Sequence, residues 1–247
     1  MKIVRFLHSD MTYEGILESE DTVSAGSSSG GKTFSTGEIK FLPPAQPSKI
    51  VCVGLNYADH AMELNMPLQE EPVIFIKPPS AVIGPGDKIR YPGGVTRIDY
   101  EAELGVVIKN RIKNVTEDAA REHILGYLCL NDVTARDLQK KDAQWTRAKS
   151  FDTFAPVGPW IETDLDTRDL YIRSYLNGEL KQDSRTSFLI FKVHYLVSFI
   201  SRIMTLLPGD IIATGTPPGI GPMEPGDEIS IEIEGLGALI NKVVREN

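Results

Sequence analysis

Three acids alternate with apolar residues in Ile98-Asp99-Tyr100-Glu101-Ala102-Glu103-Leu104, inside a run over 97–108 that otherwise has the composition of a strand. Strand side chains alternate between faces, so Asp99, Glu101 and Glu103 are expected on one face and Tyr100, Ala102 and Leu104 on the other. Carboxylates two apart on a strand sit roughly 7 Å from one another. On an enclosed face their repulsion calls for a counter-charge, which a hard divalent cation supplies. An isolated Glu-x-Glu more often marks a solvated sheet edge, so the pattern needs partners elsewhere in the chain. His60 and Glu63 offer one. In a short helix capped by Asn56, with Asp59 completing a capping box, they fall three apart on one face. A carboxylate beside an imidazole fixes its tautomer and raises its basicity, which a general base requires, although a lone H-x-x-E is also a common surface pair. Asp132 ends an apolar run, where an acid is either a turn former or a ligand. The basic stretches 134–139 and 145–152 are either solvated loops or a cationic wall beside an anionic ligand. The turn 214–219 presents hydroxyls and backbone N–H groups that suit a carboxylate, or it is a plain loop.

The elements that must position these residues read mostly as strands. Residues 2–7 and 12–17 are short strands followed by a Ser/Gly/Ala loop over 24–31, which makes a small N-terminal β appendage. Pro43-Pro44-Ala45-Gln46-Pro47 is extended and marks a boundary, dividing the chain into 1–46 and 47–247. Beyond it, strands are expected at 49–55, 73–77, 125–133 and 170–176, with two more in 228–244. Pro-Gly-Asp recurs at 85–87, 208–210 and 225–227, each time specifying a type II turn. Asn177-Gly178 specifies a hairpin. Helices are expected at 116–124 and 193–206. The segment 59–72, polar and bearing Pro67 and Pro72, has the composition of a lid that closes on a ligand. Residues 26–33 match G-x-x-x-x-G-K-T, but a phosphate loop must leave a buried strand and enter a helix. Neither flank does so, and the NTPase reading is rejected.

Composition excludes several classes. A formal charge of -8 over 247 residues argues against nucleic acid, whose phosphates want a basic footprint. No window approaches the ~20 apolar residues of a membrane span, and the first residues lack the apolar core of a signal peptide. A soluble cytoplasmic protein is expected. The two cysteines, Cys52 and Cys129, both lie in strand-like runs, which speaks against a disulfide framework or a thiolate metal site.

Six pieces then stand in order: G-L-N-Y-x-x-H-x-x-E (54–63), F-I-K-P (75–78), D-Y-E-A-E-L-G (99–105), N-D-V-T-A-R-D (131–137), A-K-S-F-D (148–152) and G-D-I-I-A-T-G-T-P-P-G (209–219). From about Pro47 onward this constellation resembles the fumarylacetoacetate hydrolase family. The resemblance implies an α+β, predominantly β fold, a mixed β-sandwich roll, with 47–247 as the catalytic domain of a homodimer. It implies Mg2+ or Mn2+ held by Glu101, Glu103 and Asp132, with His60 and Glu63 as the proton-transfer pair. Lys149 then supplies positive charge at the metal, and Arg136, Gln139 and Thr216 face the substrate. The reaction expected first is C–C hydrolysis of an acylpyruvate-type 2-oxo acid through its enolate. The alternatives are 2-hydroxyhepta-2,4-diene-1,7-dioate isomerisation or decarboxylation of an oxaloacetate-type diacid, while a metal-binding module without catalysis is disfavoured by the retained base and lysine.

Overall fold

The run Ala-Glu-Leu-Gly-Val-Val-Ile, apolar apart from Glu103, becomes the strand Ala102–Ile108, and every one of its residues is buried. It has this composition because it is covered on both faces and paired on both edges, antiparallel to Ile124–Asn131 and to Ile211–Ala213. The computed structural model describes residues 1–26, 31–59 and 69–246 and is mostly β, as expected. Its strands form sheets of twelve, five and three. Outward from Ile211–Ala213 in the large sheet come Ile50–Gly54, in parallel, and then Val73–Lys77, antiparallel. In the other direction Ile124–Asn131 pairs with Ala155–Glu162.

The N-terminal strands continue this same sheet. Lys2–His8 pairs antiparallel with Ala155–Glu162, placing Lys2 opposite Glu162, and the terminal amine of Met1 reaches the Glu162 carboxylate at 2.5 Å. Met11–Ser19, Thr22–Ala25 and Thr33–Ser35 follow in antiparallel order. Lys32 therefore leads into a strand rather than a helix, in keeping with the rejected phosphate loop.

The five-stranded sheet is built on the expected hairpin. Tyr171–Leu176 and Glu179–Arg185 pair across Asn177 and Gly178, both left-handed at φ 52° and 80°. Glu228–Ile233, Gly237–Arg245 and Lys88–Tyr91 complete it. Its inward Ile172, Ile229, Ile231 and Ile233 join Leu104, Val106 and Cys129 in one apolar core. The glycines of the three Pro-Gly-Asp turns have φ of 74°, 83° and 107°, as type II geometry demands.

Two expectations fail. The run 97–108 is not one strand: Ile98–Tyr100 pairs with Thr134–Ala135 and Gly221–Met223 in the small sheet, and the chain crosses at Glu101 into the large one. Asp99 is consequently parted from the other two acids. Residues 116–124 form turns and a single 3-10 turn, Ala120–His123, in place of a helix. The backbone N–H groups of Asn114 and Val115 bond to Ser201 on the helix Val193–Ile203, and a segment this short cannot nucleate alone. That second helix forms where expected. Among the described residues no helix is long and apolar enough to cross a membrane. Cys52 and Cys129 are free and buried.

Candidate active site

Glu101, Glu103 and Asp132 arrive from three strand ends. Glu101 is the crossing residue between sheets, Glu103 sits at the start of Ala102–Ile108, and Asp132 follows Ile124–Asn131. Because Ala102 and Asn131 are paired, the three carboxylates are brought together, with an oxygen of each within 4.8 Å of the others. All three are buried. The site residues predicted for the metal therefore do converge, although by a switch of sheets and not by sharing one strand face.

Cations surround the acids. Lys149, 2% exposed at the end of the short helix Thr146–Lys149, donates to Glu101 Oε2 at 2.8 Å and to Asp132 Oδ2 at 2.7 Å. Arg136 opens the helix Arg136–Lys141, reaching Glu101 Oε1 at 2.5 Å and Asp99 Oδ2 at 2.8 Å, and it also donates to Gln139 Oε1. Asp99 takes a second guanidinium from Arg97 at 2.7 and 3.0 Å. Burial by itself would raise the Glu101 carboxyl, but Lys149 and Arg136 outweigh it and hold the group at about 2. Burial likewise opposes the Lys149 ammonium, and Asp132 and Glu101 more than compensate, keeping it charged.

Glu103 is different. Among the described residues it is in no ion pair, and its Oε2 accepts a hydrogen bond from the Gly215 N–H at 2.8 Å. Burial first, then Asp132 and Glu101, push its carboxyl well above the usual range. A buried carboxylate beside two others is stable as an anion only with a further positive charge. The donor set is all oxygen, which suits a hard divalent ion of the Mg2+ or Mn2+ kind. The residues thus fit the metal that the sequence implied.

Other contacts were not foreseen. Lys77, fully buried at the end of Val73–Lys77, pairs with Asp132 Oδ1 and donates to the Val133 carbonyl at 3.0 Å. Its signals in the sequence are a lysine closing an apolar strand and its place in the F-I-K-P piece over 75–78. Gln182 accepts from the Ala102 N–H at 3.0 Å and donates to Thr216 Oγ1 and the Pro217 carbonyl, both at 2.9 Å, so it ties the acid-bearing strand to the 214–219 turn. An inward-facing Gln in the hairpin strand was the clue. Asn56, read as a cap, is buried and spends its side chain on the backbone of Phe191 and Thr214.

The three acids, Lys149, Arg136, Gln139 and Thr216 line one cleft of about 60 Å3 free space. A larger cavity of about 650 Å3 beside Lys40 and Arg90 is remote from these acids in its lining and holds none of them. His60, Glu63 and most of the expected lid lie outside the described residues.

These features define a β-rich protein class whose buried carboxylates, flanked by a lysine, can take a hard divalent ion. The chain belongs to the fumarylacetoacetate (FAA) hydrolase family, residues 49–244 matching its C-terminal domain. It is 46% identical to the bovine (Bos taurus) mitochondrial oxaloacetate tautomerase FAHD2B over 84% of this chain and 70% of that protein. Among solved structures it superposes on a 5-carboxymethyl-2-hydroxymuconate delta-isomerase from Mycobacterium smegmatis with TM-score 0.94 and 42% identity, all of both chains being covered. A maleylpyruvate hydrolase from Sphingobium sp. SYK-6, in complex with manganese(II) and pyruvate, gives TM-score 0.86 at 27% identity, again over all of both chains. The protein is an enzyme of this family.

Proposed function

We propose that this enzyme moves a proton at the carbon next to the keto group of a 2-oxo acid, interconverting keto and enol forms or isomerising a 2-oxo diacid. The observation that carries the reading is Lys149, buried and bonded to two of three clustered carboxylates. The tautomerase and isomerase relatives support it. A Mg2+ or Mn2+ ion held by Glu101, Glu103 and Asp132 would supply Lewis-acid polarisation of the keto group. Lys149 adds fixed positive charge where the enolate oxygen develops, and because it is already held by Glu101 and Asp132 it needs no reorganisation. Arg136, Gln139 and Thr216 orient the substrate carboxylate. His60 with Glu63 is proposed to carry the proton. Pairing of Arg136 with Glu101 and Asp99 keeps its guanidinium aligned beside the cleft.

C–C hydrolysis is the second reading, favoured by the likeness to a maleylpyruvate hydrolase. It uses the same enolate, with His60–Glu63 activating a water that attacks the distal carbonyl. Proton NMR in D2O separates the two. Metal-dependent exchange at C3 of oxaloacetate without pyruvate release from acylpyruvates is expected for the first reading, and pyruvate release supports the second. If neither exchange nor release occurs with Mg2+ or Mn2+, both readings fall.

A further inference from the structure

Beyond the charged residues, the cleft is walled by Gly54, Leu55, Phe75, Trp145 and Ile220. This wall is held from several sides. A Cβ on Gly54 would stand 2.8 Å from Cζ3 and 3.1 Å from Cη2 of Trp145, so the indole rests directly on glycine backbone. Trp145 meets Phe75 edge-to-face, with centroids 5.3 Å apart at 75°. The Phe75 ring in turn lies 5.0 Å from the Lys149 ammonium. Trp145 also precedes the helical turn that ends in Lys149, and its carbonyl accepts the Lys149 N–H at 3.0 Å. Leu55 has φ 55°, a left-handed conformation that costs a bulky residue about 1–2 kcal/mol. It is kept there by its neighbour Asn56, anchored to Phe191 and Thr214.

We infer that Trp145 is the specificity-determining residue, restricting the cleft to 2-oxo acids with a short chain beyond C3 and excluding those that carry a bulky apolar group there. The free space of about 60 Å3 corresponds to a handful of water molecules at roughly 10–15 Å3 each. The wall discriminates by size and not by charge, since its side chains, Leu55, Phe75, Trp145 and Ile220, are all uncharged. Size discrimination of this kind is worth about 10–200-fold per misfitting group. The same Trp145–Phe75–Lys149 chain of contacts makes an oversized substituent disturb the catalytic lysine as well as clash.

This inference rests on the proposed function, and the test keeps the two apart. Full-length protein loaded with Mg2+ or Mn2+ is titrated calorimetrically with oxalate, which has the two-carbon head alone, and with phenylpyruvate, which carries a ring on C3. In Trp145→Ala the affinity for phenylpyruvate relative to oxalate should rise about tenfold or more over the unsubstituted protein. Trp145→Phe, which retains the edge contact with Phe75 but withdraws the second ring from Gly54, should give a smaller rise in the same direction. Melting curves of both variants check that each is folded. An unchanged or lower ratio in both variants overturns the role of Trp145 while leaving the proposed function intact. Failure of oxalate to bind the unsubstituted, metal-loaded protein overturns the 2-oxo acid reading, and the inference with it.

Discussion

Lys149 holds two carboxylates that would otherwise repel across a buried space, so its removal separates stability from function. In Lys149→Met the cation shared by Glu101 and Asp132 is lost while Arg136 and Lys77 stay paired with them, which should cost about 3 kcal/mol in metal-free protein, and turnover should fall at least ~10²-fold. Added Mg2+ or Mn2+ should recover part of the stability but not the turnover, as melting curves with and without metal will show. Recovery of both would mean that the lysine only neutralises charge. Gly215 is the second residue whose replacement is informative. Its φ of 101° is disfavoured for any side chain, and a Cβ would lie 2.8 Å from Asn56 Cβ and 3.1 Å from the Val53 carbonyl. Gly215→Ala should destabilise by about 1–3 kcal/mol and move the N–H away from Glu103. Divalent affinity measured by calorimetry should weaken with it, and unaltered affinity would show that Glu103 needs no such anchor.

At the scale of elements, the parallel pair Ile50–Gly54 and Ile211–Ala213 is clamped at its start by Asp210. That carboxylate accepts from the Ser48 N–H and hydroxyl at 2.9 and 2.7 Å, from the Leu207 N–H at 2.8 Å, and from Lys49. Burial alone would raise its carboxyl, but the bonds from Lys49, Ser48 and Leu207 outweigh burial and hold it below the usual range. A depressed folded value means the clamp contributes fully above the ordinary carboxylate range, near pH 4, and loses its contribution as pH falls through the lower folded value. Asp210→Asn should thus lose about 2 kcal/mol at neutral pH. The gap to the unsubstituted protein should close as the pH of urea denaturation is lowered below about 4. A gap that stays constant with pH would assign the effect to shape and not to charge.

For the whole molecule, one sheet runs from the N-terminal strands to the site. Removing residues 1–46 would uncover the Ile161–Glu162 end of the strand Ala155–Glu162 and expose Trp160, which packs against the cluster that includes Phe6 and Tyr13 and lies 4.4 Å from the Lys2 ammonium. An open apolar edge pairs with other chains. A chain beginning at 47 should therefore melt lower and elute as aggregates in size-exclusion chromatography, whereas a monodisperse fragment with unchanged melting would show that 47–247 stands alone. Metal acts on the same scale through binding linkage. At 100 times its Kd the ion should add about 2.7 kcal/mol, or roughly 5–10 °C in Tm for a chain of this size. EDTA should remove that increment together with activity, and Mg2+ or Mn2+ should restore both; equal melting and activity in EDTA would rule out the metal role.

The sequence by itself determined the strands and their turns. Apolar runs and Pro-Gly-Asp are local signals, so Val73–Lys77, the Asn177-Gly178 hairpin and the helix Val193–Ile203 could be read from neighbouring residues alone. It also determined which residue types stood ready for chemistry, because Glu101, Glu103 and Asp132 are acids placed where a core is expected. What only the tertiary structure decided was who meets whom. Alternation along 97–108 put Asp99 with the other two acids, yet strand pairing is made with distant residues: Asp99 lies opposite Thr134 and Pro222, Glu103 opposite Leu130. The change of sheet at Glu101 follows from those partners and leaves no mark on local periodicity. The helix expected at 116–124 is likewise replaced by tight turns, Ala120 bonding to Glu117 and Glu122 to Ala119, behind residues 114 and 115 that are tied to Ser201. Lys77 stands in the F-I-K-P piece and Gln182 in a hairpin strand, but neither position has a local spacing that names its partner. Only folding brings Lys77 to Asp132 across 55 residues, and Gln182 to Ala102 across 80, and it is there that their buried polar atoms find the partners that burial requires.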